Sequence, residues 1–474
     1  MNSATGSSSP TNLNDQYSLS YIIFISLVAA LGGFLFGFDS GVINGTVTAL
    51  STTFETDNIG TGFNVASVLL GCALGALTAG PLADKVGRKP VMLGTAIIFA
   101  ISAYGSGAAD SSTQFILYRL FGGVGIGAAS VLAPAYIAEI SPSAIRGRLA
   151  SLQQMAIVLG LFFAFLSNYL IAESAGGAQA ILFADIAAWR WMFWVELIPA
   201  VLFFFGVLLI PESPRYLVAQ NQTSRALAIF KKISSALPEH KVAEVKESLH
   251  GDEKPRLRDL FIEGQKKLHP IIWVGVGLSV FQQFVGINVV FYYGAELWQA
   301  AGFKESDALF INVLTGTTNV LSTLIAIALI DKIGRKPLLM TGSLGMFVSL
   351  GILTYIFANG AVDSTGQLAL TDTSGTVALI AANLFVVFFG LSWGPVVWVL
   401  LGEIFNNRIR GAALAFAASI QWLANFAITM TFPIMLSSLG LASAYGFYTL
   451  SALFSAFFVI KFIKETKGKT LESM

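Results

Sequence analysis

The sequence predicts an all-α membrane protein with twelve transmembrane helices arranged as two parallel six-helix halves. Three observations predict this fold. The 474 residues are 55% hydrophobic and only 12% charged, whereas soluble domains carry about 25% charge. Apolar stretches of membrane-spanning length recur along the chain, and a set of charged motifs occurs twice in the same order. The composition disfavours a soluble enzyme, a disordered protein and, with a net charge of +1, a nucleic-acid-binding protein.

The apolar stretches are each near the ~20 residues that cross about 30 Å of hydrocarbon. Six form a predicted N-terminal bundle over residues 19–210, and six form a C-terminal bundle over 270–463. The polar segment 211–269 is predicted to be a linker of short amphipathic helices. Residues 1–18 lack the basic start of a secretory signal and are predicted to be a disordered tail, and 464–474 are a predicted C-terminal tail. The predicted spans are 20–44, 62–83, 90–109, 114–138, 149–172, 190–210, 270–300, 307–330, 337–358, 376–402, 411–436 and 441–463.

Basic residues predict the orientation of the bundle. All but three of the 28 Lys and Arg residues fall in the linker, the tails and the loops on one side. Because loops rich in Lys and Arg stay in the cytoplasm, this side and both termini are predicted to be cytoplasmic. The opposite side would carry Asn44-Gly45-Thr46, a weak match to a glycosylation sequence.

Charged motifs repeat between the two halves. The sequence Asp-Lys-Val-Gly-Arg-Lys-Pro at 84–90 returns as Asp-Lys-Ile-Gly-Arg-Lys-Pro at 331–337. A Glu followed by Arg seven residues later occurs at 139 and again at 403, and Pro-Glu-Ser-Pro-Arg at 211–215 has a looser echo at 464–468. Motifs in the same order in two halves predict a transporter architecture, with the substrate site between the halves near the membrane midplane.

Two polar motifs inside predicted spans complete the pattern, Gln282-Gln-x-x-Gly-Ile-Asn288 in the seventh and Gln421-Trp-Leu-Ala-Asn-Phe426 in the eleventh. With the charged motifs, they make residues 20–470 resemble the sugar porter family of the major facilitator superfamily, above all its bacterial proton-coupled xylose, galactose and glucose carriers. The resemblance implies a monosaccharide–proton symporter that works by alternating access. It implies a functional monomer surrounded by lipid in the plasma membrane, the inner membrane of a bacterium. No cofactor, metal or nucleic-acid partner is implied.

The repeated charged residues admit two interpretations. They could be surface ion pairs, each contributing about 0–1 kcal/mol. We favour a cytoplasmic gate, a charge network that holds the two halves together while the substrate site faces outward. Each Glu of the second motif would lie opposite the Arg that follows it, and the resemblance implies that Glu212 and Glu465 contact the linker helices. The predicted gate comprises Asp84, Arg88, Glu139, Arg146, Glu212 and Arg215 in the first half, and Asp331, Arg335, Glu403, Arg410 and Glu465 in the second.

Ionisable residues inside predicted spans are the candidates for proton binding, because a charge at membrane depth is costly and is usually functional. Asp39 is the only charged residue between 19 and 54, and Arg119 lies five residues inside the fourth span. A carboxylate and a guanidinium that pair and separate could bind and release a proton, whereas a permanent ion pair would be structural. The resemblance implies that Asp39 and Arg119 form the coupling pair, supported by Glu196. Facilitative relatives have Asn in place of Asp39.

Amide side chains inside the spans suit an uncharged sugar, because amides and hydroxyls both donate and accept hydrogen bonds. A lone Asn or Gln in a membrane helix more often joins helices. The resemblance implies that a whole set binds the sugar: Gln154, Gln282, Gln283, Asn288, Asn319, Trp398, Gln421 and Trp422. Helix breaks are predicted near Gly286 and Gly394, with Tyr292 as a lid over the sugar. The remaining pocket and specificity residues are Phe36, Leu161, Phe291, Trp393 and Asn425.

Two positions bear on the choice of sugar. Leu161 and Phe291 resemble the residues of glucose transporters rather than those of xylose carriers, so D-glucose is favoured, with xylose and galactose left open. Three other functions compete. A facilitative uniporter would have the same fold without proton coupling, and a non-transporting sugar receptor would usually carry a long cytoplasmic tail. An enzyme is disfavoured because the sequence has no nucleophile–base or metal cluster.

Overall fold

Helices make up nearly all of the described chain, and eleven of them are long and apolar enough to cross a membrane. The predicted N-terminal tail, apart from residue 18, and the end of the C-terminal tail beyond residue 467 lie outside the described residues. The computed structural model describes residues 18–142, 145–233, 238–251, 257–262, 265, 267–362, 368–406 and 409–467.

The first half of the bundle contains six spans, as predicted. A short helix, Val47–Thr53, follows the first span, and the sixth span is interrupted rather than continuous. In order, the spans are Leu19–Val42 with a 3-10 turn at Ile43–Gly45 (span 1), Asn58–Val86 (span 2), Arg88–Ala108 (span 3), Ser112–Ile140 (span 4), Arg146–Ala175 (span 5), and Ala188–Trp194 continued by Leu197–Leu209 (span 6).

The second half repeats this pattern with two interrupted spans. In order, they are Pro270–Phe284 continued by Ile287–Ala300 (span 7), Glu305–Ile333 (span 8), Arg335–Asn359 (span 9), and Asp372–Leu391 continued by Trp393–Ile404 (span 10). Spans 11 and 12 lie within the last helix, Arg410–Phe462.

The last helix is two spans rather than one. Its 53 residues would measure about 80 Å at 1.5 Å per residue, far more than a membrane. Gly440 interrupts it with a positive φ of 80°. Beyond that point the chain runs antiparallel to span 9, because Thr449 bonds Thr354 at 3.0 Å while Ser455 bonds Ser343 at 2.8 Å. The described chain therefore contains the twelve spans that the sequence predicts.

The linker joins the two halves on one side of the bundle. Its helices are Pro214–Ala219, Thr223–Ile233 and Pro238–Gly251, followed by the 3-10 turn Leu257–Leu260. They share a small apolar core of their own. The main-chain N–H of Ser18, just before span 1, donates to the linker at the oxygen of residue 233 (3.0 Å). We call this side of the bundle the linker face.

The opposite side, which we call the far face, carries two short antiparallel hairpins. One joins spans 5 and 6 through strands Ile181–Phe183 (β1) and Ile186–Ala187 (β2), and the other joins spans 9 and 10 through Ala361–Val362 (β3) and Leu368–Ala369 (β4). Among the described residues, the hydrogen bonds and ring contacts between the spans of the two halves lie between the midplane and this face. A Cβ at Gly62 of span 2, for example, would meet the main-chain oxygen of residue 430 in span 11 at 2.6 Å.

Glycines fix the position of span 1, which carries Asp39. A Cβ at Gly37 would lie 1.9 Å from the main-chain oxygen of Ile157 in span 5, and one at Gly160 would lie 2.0 Å from that of Phe34. Spans 1 and 5 therefore pack with their backbones in direct contact, which only small residues allow. This contact sets the depth at which Asp39 enters the bundle.

Candidate functional site

A buried ion pair lies inside the first half, where the sequence places the proton-coupling residues. The Nη1 atom of Arg119 is 2.6 Å from Oδ1 of Asp39, and both side chains are only 1% exposed. The Nη2 atom of Arg119 also donates to the main-chain oxygen of Asp39 at 3.3 Å. The guanidinium lies 5.8 Å from the centre of the Phe193 ring. Arg119 of span 4 thus holds both the side chain and the backbone of span 1.

Glu196 adds a second carboxyl group to this pair. It is 1% exposed, lies between the two helices of span 6, and interacts electrostatically with both Asp39 and Arg119. Within the described residues, no N–H or O–H of another side chain reaches either oxygen of Glu196 or the second oxygen of Asp39, and the two carboxyl groups interact with each other. Two buried carboxyl groups thus lie near one guanidinium, so a single proton would balance the charge of the site.

Amide side chains form a connected cluster in the second half. Gln282 donates through Nε2 to the main-chain oxygen of Trp393 at 2.8 Å. Its Oε1 accepts a hydrogen bond from Gln283 at 3.2 Å and another from Gln421. Gln283 in turn accepts one from Asn288. Four of the predicted sugar-binding amides, from spans 7 and 11, therefore lie together around Gln282.

Two helix breaks build this cluster, and both were predicted. Gly286 interrupts span 7 with a φ of 85°, and a Cβ there would lie 2.6 Å from the Tyr448 ring. Span 10 breaks at Ser392 (φ −133°, ψ −89°), just before the predicted position at Gly394. The break begins a new helix at Trp393, and the carbonyl oxygen of Trp393 accepts the hydrogen bond that orients the Gln282 amide with its second lone pair.

The predicted lid residue, Tyr292, lies between the two halves. Its side chain is buried, and its hydroxyl accepts a hydrogen bond from Nδ2 of Asn425 at 3.3 Å. Thr429 donates to Oδ1 of the same Asn425 at 3.1 Å. The Tyr292 hydroxyl also bonds the side chain of Ser40, the residue next to Asp39. One phenol therefore lies between Asn425 of span 11 and Ser40 of span 1, a link through Ser40 that the sequence did not indicate.

The predicted aromatic residues occupy different environments. Trp422 is buried, with its ring 5.6 Å from that of Phe36 in the other half. The Phe291 ring lies 6.4 Å from Phe165 of span 5. Trp398 is 40% exposed, on a helix that mainly contacts other helices of its own half. The fully buried Trp393 donates its indole N–H to the Ser343 hydroxyl at 2.9 Å, so only its carbonyl group reaches the amide cluster.

Three further predicted residues line the surrounding helices. Gln154 is half-buried in span 5. Leu161 lies seven residues after Gln154, on roughly the same face of span 5. It packs against span 1, where a Cβ at Gly41 would lie 3.0 Å from Cδ1 of Leu161. Asn319 of span 8 is 5% exposed and lies beside Gly390 of span 10. Leu161 thus packs against span 1 at a point two residues after Asp39. Asn319 lies near the break in span 10.

The charged motifs of the two halves form equivalent contacts at the linker face. In the first half, Arg88 bonds Asp84 and Glu139, each at 2.9 Å. In the second half, Arg335 bonds Glu403 at 2.7 Å. Each of these pairs joins residues of the same half. The proposed role of the network in holding the two halves together stays a prediction for the state in which the linker face is closed.

Glu212 and Glu465 have a role that the sequence did not indicate. Each accepts hydrogen bonds from the first backbone N–H groups of a span: Glu212 from Arg88 at 2.9 Å, and Glu465 from Arg335 at 3.1 Å. Glu212 also accepts one from the N–H of Ser213, the N-cap of the linker helix Pro214–Ala219, at 2.7 Å. A carboxylate is stabilised at a helix N-terminus because N–H groups there have no helical partner. Partial burial raises the pKa of Glu465, but four backbone N–H donors outweigh it and lower the pKa below its usual value.

The pairing of Glu with the following Arg is also different in the second half. Glu403 bonds Arg335, whereas Arg410 donates through Nε to the main-chain oxygen of Phe405 at 3.1 Å. The physical reason is that Phe405 ends span 10, and its carbonyl group lacks a helical donor. The side chains of Arg146 and Asp331 lie outside what the structure describes, and Arg215 is exposed in the linker.

Asn44 was assigned only as a weak glycosylation match, and this assignment is wrong for the folded protein. Its side chain is 1% exposed and is hydrogen-bonded to spans 7 and 8. The signal that could have identified it is the one used for the sugar-binding residues, an amide side chain inside an apolar span.

Twelve spans in two repeated halves, with polar groups gathered where the halves meet, define a secondary transporter. The chain belongs to the sugar transporter family: the family pattern described as "Sugar (and other) transporter" matches residues 25–474. It is 54% identical to a glucose transport protein of Synechocystis, over 99% of each chain. It is 40% identical to a D-xylose-proton symporter of Escherichia coli, over 98% of this chain and 96% of that one. The Escherichia coli xylose transporter, in a partially occluded inward-open conformation, superimposes with a TM-score of 0.82 at 38% identity, over 95% of this chain and 100% of that one.

Proposed function

We propose that the protein is a proton-coupled monosaccharide symporter working by alternating access, with D-glucose as its principal substrate. The observation that carries the proposal is the buried site of Asp39, Arg119 and Glu196, because a membrane protein rarely keeps two carboxyl groups on one guanidinium without using the charge. The 54% identity to a glucose transport protein supports the sugar. The 40% identity to a D-xylose-proton symporter supports the coupling.

Proton binding would act through the Asp39–Arg119 pair. When a proton neutralises Asp39, the carboxyl group no longer holds Arg119 by charge, and the contacts that fix span 1 weaken. Span 1 carries Ser40, which bonds the lid residue Tyr292. Protonation in the first half therefore alters the support of the lid over the sugar in the second half. This connection makes the two binding events depend on each other.

Sugar binding would use the amide cluster around Gln282. A monosaccharide hydroxyl can insert between amides that now bond each other, exchanging these bonds for bonds to the sugar. Gln282 keeps its orientation during this exchange, because its Nε2 is held by the carbonyl group of Trp393. Trp422 and the exposed Trp398 would contact the apolar C–H surface of the sugar ring. A ligand without hydroxyls would leave the amides unpaired, so the site selects polyols.

The linker face would be cytoplasmic, as the positive-inside rule implies, with both chain ends inside and the bundle in a bacterial inner membrane. The contacts between the halves lie toward the far face. With this orientation, the described state would be inward-facing: it would be closed to the outside, and its sugar site would open toward the cytoplasm. The cytoplasmic gate of charged residues would then form only in the opposite state.

Symport is tested by adding glucose to one side of de-energised vesicles that contain the purified protein. Glucose entering with a proton makes the external medium more alkaline, whereas a uniporter admits glucose without a change in pH. Glucose uptake with no alkalinisation would replace symport with facilitative transport. No uptake, with retained glucose binding, would instead indicate a receptor.

The sugar is tested by competition against labelled glucose with unlabelled glucose, galactose and xylose. We expect glucose to compete best, because Leu161 and Phe291 resemble the residues of glucose transporters rather than those of xylose carriers. Packing differences of this kind are worth about 1–3 kcal/mol, so xylose should compete more weakly by about tenfold to a hundredfold. Stronger competition by xylose would reassign the substrate without changing the class of transporter.

A further inference from the structure

Asn44 makes the densest set of hydrogen bonds between the two halves of the described chain. It lies in the 3-10 turn that ends span 1. Its Nδ2 donates to the main-chain oxygen of Phe291 at 2.9 Å. Its Oδ1 accepts from the main-chain N–H of Ala295 at 3.1 Å and from Nδ2 of Asn312 at 2.8 Å. One buried amide of the first half thus makes three bonds to spans 7 and 8 of the second.

The two backbone partners of Asn44 belong together. The carbonyl group of Phe291 and the N–H of Ala295 are four residues apart, so they are the pair that bond each other in a regular helix. The Asn44 amide docks on both at once. It therefore recognises the backbone of the second helix of span 7, the helix that carries the lid residue Tyr292.

Glycine makes this docking sterically possible. A Cβ at Gly294 would lie 2.8 Å from Nδ2 of Asn44 and 2.2 Å from Oδ1 of Asn312. Neither distance is compatible with a side chain at that position. The close approach of Asn44, Gly294 and Asn312 is thus a specific fit between the halves and not a general property of apolar packing.

We propose that Asn44 is a positioning residue of the transport cycle, which holds the lid helix of span 7 against span 1 and so keeps the far face closed. We call Asn44, Phe291, Ala295 and Asn312 the Asn44 clamp. The inference rests on the alternating access proposed above, but not on proton coupling or on the identity of the sugar.

The clamp biases the conformational equilibrium because its bonds exist only in one state. When the far face opens, water replaces the partners of the Asn44 amide, and the advantage of the three internal bonds is lost. Net gains of about 1 kcal/mol per bond predict that the clamp favours the closed far face by about tenfold to a hundredfold. Asn44 also follows Ser40 by one helical turn, so the clamp and the contact of Ser40 with Tyr292 share one face of span 1.

The clamp is tested by the distance between spin labels on the two halves at the far face. Thr53, after span 1, and Ser306, at the start of span 8, are exposed, and the native Cys72 is buried, so cysteines at these two positions take the labels. We expect the unmodified clamp to give mainly the short distance. Asn44→Leu should raise the ratio of long to short distances by about tenfold to a hundredfold. An unchanged distribution in folded Asn44→Leu protein would overturn the proposal.

Three variants make the test specific. Asn64→Leu is the matched control, because Asn64 is also 1% exposed near the far face but bonds Ser112 of its own half. It should leave the distances unchanged, and an equal shift would show that the effect is not due to the clamp. Asn312→Ala and Asn312→Leu each remove one of the three bonds of Asn44 and should give intermediate shifts. If Asn44→Leu does not fold, these two variants test the clamp instead. An unchanged ratio of long to short distances in both would refute it.

A transport measurement separates this proposal from the proposed function. Asn44→Leu should slow glucose uptake while leaving the number of protons carried per glucose unchanged. If the wild-type protein carries no proton, symport fails, but the distance shift still supports the clamp. If the variant loses protons per glucose, Asn44 belongs to the coupling machinery and not to a clamp.

Discussion

The two halves of the protein are alike at the linker face and different inside the membrane. At the linker face, Arg88 and Arg335 bond equivalent Glu residues, and Glu212 and Glu465 cap equivalent helices. At membrane depth, the first half contains a buried ion pair, whereas the second contains neutral amides around Gln282. The repeated scaffold thus keeps its symmetry where the helices are anchored. The scaffold loses this symmetry inside the membrane, where we propose that the proton binds in the first half and the sugar in the second.

This division requires contacts that connect the halves, and span 1 provides them. Ser40 bonds the lid residue Tyr292, and Asn44 docks on the backbone of the same helix. The residues that carry the connection are therefore neighbours of Asp39 in the chain. In the proposed mechanism, a change at Asp39 would reach span 7 through these neighbours of Asp39 and not through the linker.

Asp39→Asn is expected to have the largest effect on this comparison. It removes the titratable group of the first half while keeping the size of the side chain and the amide cluster of the second. Accumulation of glucose against its gradient should be lost completely, while exchange of labelled glucose across vesicles continues. Retained uphill uptake would show that the proton site is not at Asp39.

Gln282→Leu is expected to have the next largest effect, on the other half alone. The side chain loses its bonds to Gln283, Gln421 and the carbonyl group of Trp393, so glucose affinity should fall by about tenfold to a hundredfold. Titration calorimetry of the purified variant measures the glucose affinity. Asn383→Leu is the matched control, since Asn383 is an intramembrane amide bonded to Thr318 in the same half. Equal losses of affinity in both variants would contradict a specific sugar site.

Arg88→Ala and Arg335→Ala test the symmetric part of the comparison. Their side chains are 14% and 11% exposed, so each removal leaves a partly buried Glu without its cationic partner, although Glu403 keeps the hydrogen bond from the Thr466 hydroxyl. We expect a similar loss in both halves, about 1–2 kcal/mol, which lowers the Tm by a few degrees. The Tm is measured by thermal unfolding of the purified protein. A lower Tm in only one of the two variants would show that the matching contacts of the two halves differ in energy.

Trp393→Phe is expected to have the smallest effect. The indole bonds Ser343 inside the half, while the sugar site uses only the carbonyl group of residue 393, which every residue provides. Glucose affinity should change by no more than a few-fold, consistent with the loss of about 1 kcal/mol of hydrogen bonding. A large loss of affinity would place the indole ring itself in the pocket.

Most of the fold was predictable, because apolar length and glycine chemistry are local properties. The breaks in spans 7 and 10 follow from Gly286 and the Gly-Pro pair at 394–395. The break in span 6 beside Glu196 was missed, although Pro199 gives a signal: it has no N–H to donate to the carbonyl group of Val195, four residues before it, in a continuous helix. A proline near the start of a half-helix therefore indicates such a break.

The partners of individual charged and amide groups were less predictable. Spacing within a motif does not say which neighbour in space a side chain reaches, so the pairing of Glu403 with Arg335 and the capping roles of Glu212 and Glu465 needed the fold. The contacts of Asn44 join residues about 250 positions apart. No pattern within one segment of the sequence can indicate them.

The central claim, that a proton bound in the first half controls sugar binding in the second, is tested most directly by glucose affinity as a function of pH. Calorimetric titrations of the purified wild-type protein and of Asp39→Asn across the neutral range measure it. We predict that wild-type affinity increases as pH falls, because binding of the proton and the sugar favour each other, and that the affinity of Asp39→Asn is independent of pH. The same pH dependence in both proteins would contradict the claim.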